Sequence, residues 1–144
     1  GNEKAFLQNK AKKLKVHDYI KFYGWIRERK ELEALMSDGA LGIATFNPKI
    51  VDDKVRNGDP GKIKDYMLMG MPVITTNAVG YSQKIEKSRS GLVVNYKEED
   101  LAKAVIKLLS DEQLLKEYRK NALKFIKQFD CGKLFDENIR RVLK

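Results

Sequence analysis

Apolar residues along this chain change their period several times, and each change marks an element. Phe6, Leu7, Ala11 and Leu14 form a narrow stripe between lysines over residues 3–15, which predicts a basic amphipathic helix. Residues 19–23 (YIKFY) alternate, are rich in aromatic and β-branched side chains and end at Gly24, which predicts a strand. A helix follows from Glu28, with Leu32, Leu35 and Met36 at core spacing and Asp38-Gly39 at its end. Residues 41–46 (LGIATF) are apolar almost without interruption, which predicts a strand buried on both faces, as in a parallel sheet. Residues 47–58 make a polar loop longer than a simple connection needs, and such loops are often functional.

Asp59 and Pro60 then mark a helix start. Asp59 can accept a first-turn N–H, and Pro60 suits the first helical position, where its missing N–H would have been unpaired. Gly70 can take the left-handed conformation that ends the helix, and the apolar run 72–75 (PVIT) is the next strand. After a loop at 77–80 come a short helix carrying Ile85 and a buried strand at 92–94. Leu101, Ala104, Val105, Leu108 and Leu109 predict a helix from Glu98, and Asp111 caps another lined by Leu114, Leu115, Tyr118, Ala122, Phe125 and Ile126. Cys131-Gly132 breaks that helix, and a last amphipathic one carries Leu134, Phe135, Ile139, Val142 and Leu143. The order β-α-β-α-β-α-β-α-α-α predicts an α/β fold, a Rossmann-like parallel sheet sandwiched by helices. No repeat or composition shift divides it, so residues 1–144 read as one domain.

Composition narrows the classes. No apolar run approaches the roughly 20 residues that span a bilayer, and no secretory signal opens the chain. A single cysteine, Cys131, excludes an internal disulfide and suits a reducing compartment. With one histidine besides, His17, a dedicated zinc site is not expected. The net charge of +9 fits a lysine-rich solvated surface, and also nucleic acid, anionic lipid or a phosphorylated ligand.

Residues 57–76 (NGDPGKIKDYMLMGMPVITT) hold the candidate chemistry. A glycine-flanked turn feeds a helix whose first N–H groups and positive dipole end converge on one point, a place for a phosphate. At about 100° per residue, Lys62, Asp65 and Met69 share one face of that helix and Ile63 and Met67 another. Asp65 could reach ribose hydroxyls or simply pair with Lys62 on the surface. In open parallel sheets ligands lie beyond the carboxyl ends of the strands. That points to three edges, at 24–28, 46–49 and 57–61. There are no paired carboxylates suited to glycoside hydrolysis and no P-loop lysine motif.

The run PGKIKDYMLMGMPVI at 60–74 resembles the P-x-K-x-x-E-Y-M-x-x-G-x-P-V-I signature of retaining GT-B glycosyltransferases. That large family includes glycogen synthase-like enzymes and bacterial mannosyl- and glucosyltransferases. The flanks are similar too: YIKFYGWI at 19–26 to the family's F-x-G-x-V strand with Glu31-Leu32 after it, and SGLVV at 90–94 with DLAKAV at 100–105 to its G-L-V-V and D-L-A-x-A-I elements. The resemblance implies the carboxy-terminal, donor-binding half of a GT-B fold, without the strand, helix and basic Arg/Lys pair that precede this part in the family. The chain is therefore expected to be incomplete at its N-terminus, a piece of a two-domain enzyme and inactive alone.

The resemblance also implies roles. Asp65 stands where the second motif glutamate holds the donor ribose. Asn57 stands at the catalytic position of the first motif glutamate, an amide where the family has a charge. Gly58, Asp59, Gly61 and Lys62 would offer the diphosphate their backbone N–H groups. Trp25, Ile26 and Glu28 match the segment bordering the nucleobase, and Gly80 would face the donor cleft. The implied reaction moves a hexose from a nucleoside diphosphate sugar, with UDP or GDP as carrier, to a hydroxyl of a carbohydrate or lipid-linked acceptor, with retention. It requires no metal or other cofactor. The implied setting is cytoplasmic, including the inner face of the membrane, in cell-surface polysaccharide, lipopolysaccharide or glycolipid synthesis, with no nucleic acid partner. Two alternatives stay open: a basic non-enzymatic module for nucleic acid or anionic membrane, and a GT-B-fold UDP-sugar 2-epimerase, which the central motif fits less well.

Overall fold

The computed structural model describes residues 3–58 and 60–130. Asp59, the break at Cys131-Gly132 and the last amphipathic helix lie outside the described residues. Packing divides the chain after Ser37 into two compact units, Gly1–Ser37 and Asp38–Lys144, at a place no composition shift marks.

The first unit opens with helix α1 (Lys4–Lys13), of which Ala11 is the buried residue. Phe6 and Leu14 on its apolar stripe remain largely exposed. The predicted strand at 19–23 does not form. A single 3-10 turn spans His17–Tyr19, and residues 20–28 run without regular structure to helix α2 (Arg29–Ser37). Aromatic and β-branched residues favour an extended backbone, and Ile20 adopts one, but a strand exists only through a neighbour's ladder. The sheet of the described residues has three strands, and none lies in this unit.

The second unit is an α/β sandwich. Strands β1 (Gly42–Ala44), β2 (Val73–Thr76) and β3 (Gly91–Val94) are all parallel, in the order β1-β2-β3. The register pairs Ile43 with Ile74 and Ile74 with Leu92. Helices α3 (Asp53–Arg56) and α4 (Gly61–Leu68) connect β1 to β2, and α5 (Ser82–Lys87) connects β2 to β3. Crossovers of one hand put α4 and α5 on the same face. There Ile63, Met67, Val73, Val79 and Ile85 form one core cluster. On the opposite face α6 (Glu98–Leu109) packs Ala104 and Leu108 over Ile74. Helix α7 (Glu112–Ile126) joins both, with Tyr118 in the second cluster and Ala122, Phe125 and Ile126 in the first.

All four residues of β2 are buried, as the position between two strands requires. β1 departs from the expected burial on both faces, since its middle residue Ile43 is 44% exposed. Among the described residues it is an edge strand, with a neighbour on one side alone. It is also shorter than the apolar run 41–46, because hydroxyls replace the ladder beyond it. Thr75 Oγ1 donates to the Ala44 carbonyl at 2.8 Å and Thr76 Oγ1 to the Phe46 carbonyl at 2.6 Å. Gly42 is needed where it stands, because a Cβ there would overlap the Tyr66 ring of α4.

Candidate functional site

The site is built at the carboxyl ends of β1 and β2, where α4 begins. Pro60 has an extended ψ of 108° and precedes the helix as its N-cap, so the first helical residue is Gly61, one place later than expected. The proline ring fixes φ near −65° in either position, and ψ alone decides which it occupies. Proline has no side-chain acceptor, so the N-cap residue itself does not cap this end. The Ile63 N–H is taken by the Pro60 carbonyl at 3.1 Å. The N–H groups of Gly61 and Lys62 head the helix, where no intrahelical acceptor exists. Together with the dipole they favour an anion in front of the helix.

The faces of α4 fall as the periodicity predicts. Ile63 and Met67 are fully buried, Lys62 is exposed, and Asp65 and Met69 are half-buried. At the far end Gly70, with φ of 71°, turns the chain into β2. Lys62 Nζ lies 5.8 Å from the centre of the Phe46 ring, a cation–π distance. Phe46 is held by β2, since its N–H donates to Thr76 Oγ1 at 3.1 Å while that hydroxyl donates to its carbonyl.

The loop 47–58 is more ordered than its polar sequence suggests. The Asn47 carbonyl accepts from Ile50 N at 3.2 Å and Val51 N at 3.0 Å. Asp52 Oδ1 accepts from Val55 N at 2.9 Å and caps α3. The sequence carried this signal, an aspartate at an N-cap with Asp53 in the first turn, but four residues are too few to show a period. Arg56 Nη2 donates back to the Pro48 carbonyl at 3.3 Å. The Arg56 carbonyl in turn lies 2.7 Å from where a Cβ on Gly80 would stand. The loop after β2 therefore closes against the end of α3.

Of the residues expected at the site, Asn57, Gly58, Gly61, Lys62 and Asp65 follow one another through this turn and helix. Asn57 is the exposed C-cap of α3, its N–H bonded to the Asp53 carbonyl at 2.8 Å, and Gly58 is half-buried. Gly80 joins them through Arg56. Trp25, Ile26 and Glu28 belong to the first unit. Trp25 is 91% exposed, Ile26 is half-buried, and the Glu28 carbonyl accepts the first N–H bond of α2, from Leu32 at 3.1 Å. Sequence reasoning missed Thr76, Arg56 and the seating of Lys62 on Phe46. No periodicity reports a side chain bonded to a backbone thirty positions away.

Comparison with known proteins agrees with the motif. The family model described as glycosyl transferases group 1 matches residues 1–111. No curated protein matches the chain. The crystal structure of WaaG, a glycosyltransferase involved in lipopolysaccharide biosynthesis, superposes with a TM-score of 0.68 at 22% identity. The alignment covers 88% of this chain and 32% of WaaG, so the chain spans about a third of that protein's length. At this identity the likeness is one of fold, and the fold is the α/β architecture of a GT-B glycosyltransferase. With its central motif, its parallel sheet and a family match over most of its length, the chain belongs to the group 1 glycosyl transferases.

Proposed function

We infer that this chain is the donor-holding part of a retaining glycosyltransferase, one that moves a hexose from a nucleoside diphosphate sugar to a hydroxyl acceptor in cell-surface glycan synthesis. The observation that carries this reading is the mouth of α4, where a proline N-cap brings no side-chain acceptor, with Lys62 beside it and Asp65 one turn further along. Breaking the anomeric bond leaves negative charge on the diphosphate. Fixed N–H donors and a helix dipole stabilise that charge without reorganising during the reaction. Asp65, half-buried on the same helix, suits the ribose hydroxyls as a charged acceptor. Asn57 sits at the turn before the mouth and brings an amide, so in this reading it orients the sugar by hydrogen bonds and supplies no charge to the reacting centre. No metal is needed for any of these roles.

Calorimetric titration with UDP, GDP and their sugars tests the reading, on this chain and on the chain joined to the remainder of such an enzyme. Binding of one base without turnover by the chain alone is the expected result. Absence of binding by both forms would sink the proposal.

A second reading concerns the first unit. Phe6 is 63% and Leu14 61% exposed on a helix carrying Lys4, Lys10, Lys12 and Lys13, and Tyr19 and Trp25 are more exposed still. Apolar residues among lysines, with interfacial aromatics, suit the surface of an anionic bilayer. We propose peripheral contact with the inner face of the membrane, where lipid-linked acceptors lie. Sedimentation with anionic vesicles tests this, and failure to pellet at low salt would rule it out.

A further inference from the structure

Two loops leave the carboxyl edge of the sheet beside the mouth of α4, one after β1 and one after β2, and a single hydroxyl ties them. Thr76 is 0% exposed. A buried hydroxyl destabilises the fold unless it is bonded, and this one is bonded twice to one residue. Its Oγ1 donates to the Phe46 carbonyl at 2.6 Å and accepts the Phe46 N–H at 3.1 Å. The Phe46 ring carries Lys62 Nζ at 5.8 Å. Further along the same loop, the Pro48 carbonyl accepts Arg56 Nη2 at 3.3 Å. The Arg56 carbonyl backs onto Gly80, with only 2.7 Å left for a Cβ. Gly80 closes the loop that Thr76 begins. The contacts thus run in a closed circuit through Thr76, Phe46, Pro48, Arg56 and Gly80. The phosphate-facing turn hangs from this circuit at both its ends, Arg56 and Lys62.

We propose that Thr76 is a positioning residue for the diphosphate site. Fully buried, it acts through the residues it bonds. It holds the loop after β1 where Phe46 seats Lys62 and Arg56 carries the Asn57-Gly58 turn. This rests on the donor-site reading above and adds to it the device that sets the geometry of the helix mouth. Valine has nearly the same shape and the same β-branch, so Thr76→Val keeps the packing of β2 and removes both bonds to Phe46. Thr76→Ser keeps the hydroxyl.

The test is a titration of the whole chain and of each variant with UDP and UMP, and with GDP and GMP, beside a thermal melt. The readout is the preference for diphosphate over monophosphate, which general loosening would leave unchanged. Thr76→Val, which loses both bonds, is expected to lower that preference about tenfold, and Thr76→Ser to keep it within about threefold of wild type. Phe46→Leu, which removes the ring beneath Lys62 and leaves the backbone bonds, is expected to lower it as well and serves if Thr76→Val does not fold. An undiminished preference in Thr76→Val, or in Phe46→Leu where that replaces it, overturns the positioning role while leaving the donor site standing. Equal loss of both nucleotides overturns it too. No nucleotide binding by the wild type, alone or joined to the remainder of such an enzyme, overturns the donor reading itself, and this proposal with it.

Discussion

Asp65 illustrates how one carboxylate can be decided by its neighbours. On a helix surface it would be one partner of an i, i+3 pair with Lys62, stabilising by roughly 0.2–0.5 kcal/mol. In the structure Lys62 lies over the Phe46 ring, and Asp65 is half-buried on the face of α4 that carries Met69. If it holds the donor ribose, Asp65→Ala weakens nucleoside diphosphate binding by about 1–3 kcal/mol, the range for a hydrogen-bonding partner lost from a desolvated site. Titration of wild type and variant under one buffer measures this, and equal affinities would remove Asp65 from the site. Its candidacy was legible because the motif and the helical period both place it one turn inside the helix. The company of Phe46 and Thr76 was not, since those contacts bridge loops far apart in sequence.

Among the elements, α7 does most to join the two core clusters, and its start depends on Asp111. The Asp111 carboxylate accepts the Leu114 N–H at 2.9 Å. Asp111→Ala leaves that donor without its cap and is expected to cost about 1 kcal/mol, with a range of about 0.5–2. Because Tyr118, Ala122, Phe125 and Ile126 anchor α7 to both clusters, the loss should appear as one lowered melting transition by circular dichroism. A separate early step would show that α7 frays without disturbing the sheet. Long helices such as α6 and α7 were readable from their apolar spacing and their caps. Two short stretches were not. The four-residue α3 is too brief for a period, and residues 19–23 have the composition of a strand without a partner to make them one.

For the whole molecule, charge and exposed apolar surface bear on where it works. Lysines border the apolar stripe of α1, and no described helix is long and apolar enough to cross a membrane. Peripheral binding through α1 predicts that the chain sediments with vesicles containing phosphatidylserine and stays free of vesicles of neutral lipid. Each lysine near an anionic surface adds about 1 kcal/mol, screened beyond a Debye length, so raising salt to about 0.5 M should release the chain. Replacing Phe6 and Leu14 by serine should weaken binding even at low salt. Equal binding to both lipids would point away from an electrostatic surface.

The residues by themselves determined the α/β class, the helices of regular period and the Gly70 stop, and they singled out the stretch 57–76 as a candidate anion site, because periodicity, caps and glycine conformations are local properties. Only the tertiary structure decided that β1 is an edge, that the 19–23 segment forms no strand and that Pro60 stands before the helix rather than in it. It alone brought Thr76, Phe46, Arg56 and Gly80 around the mouth of α4. Ladder partners, close backbone approaches and side-chain bonds to distant carbonyls depend on what the fold places alongside, and no local pattern encodes that.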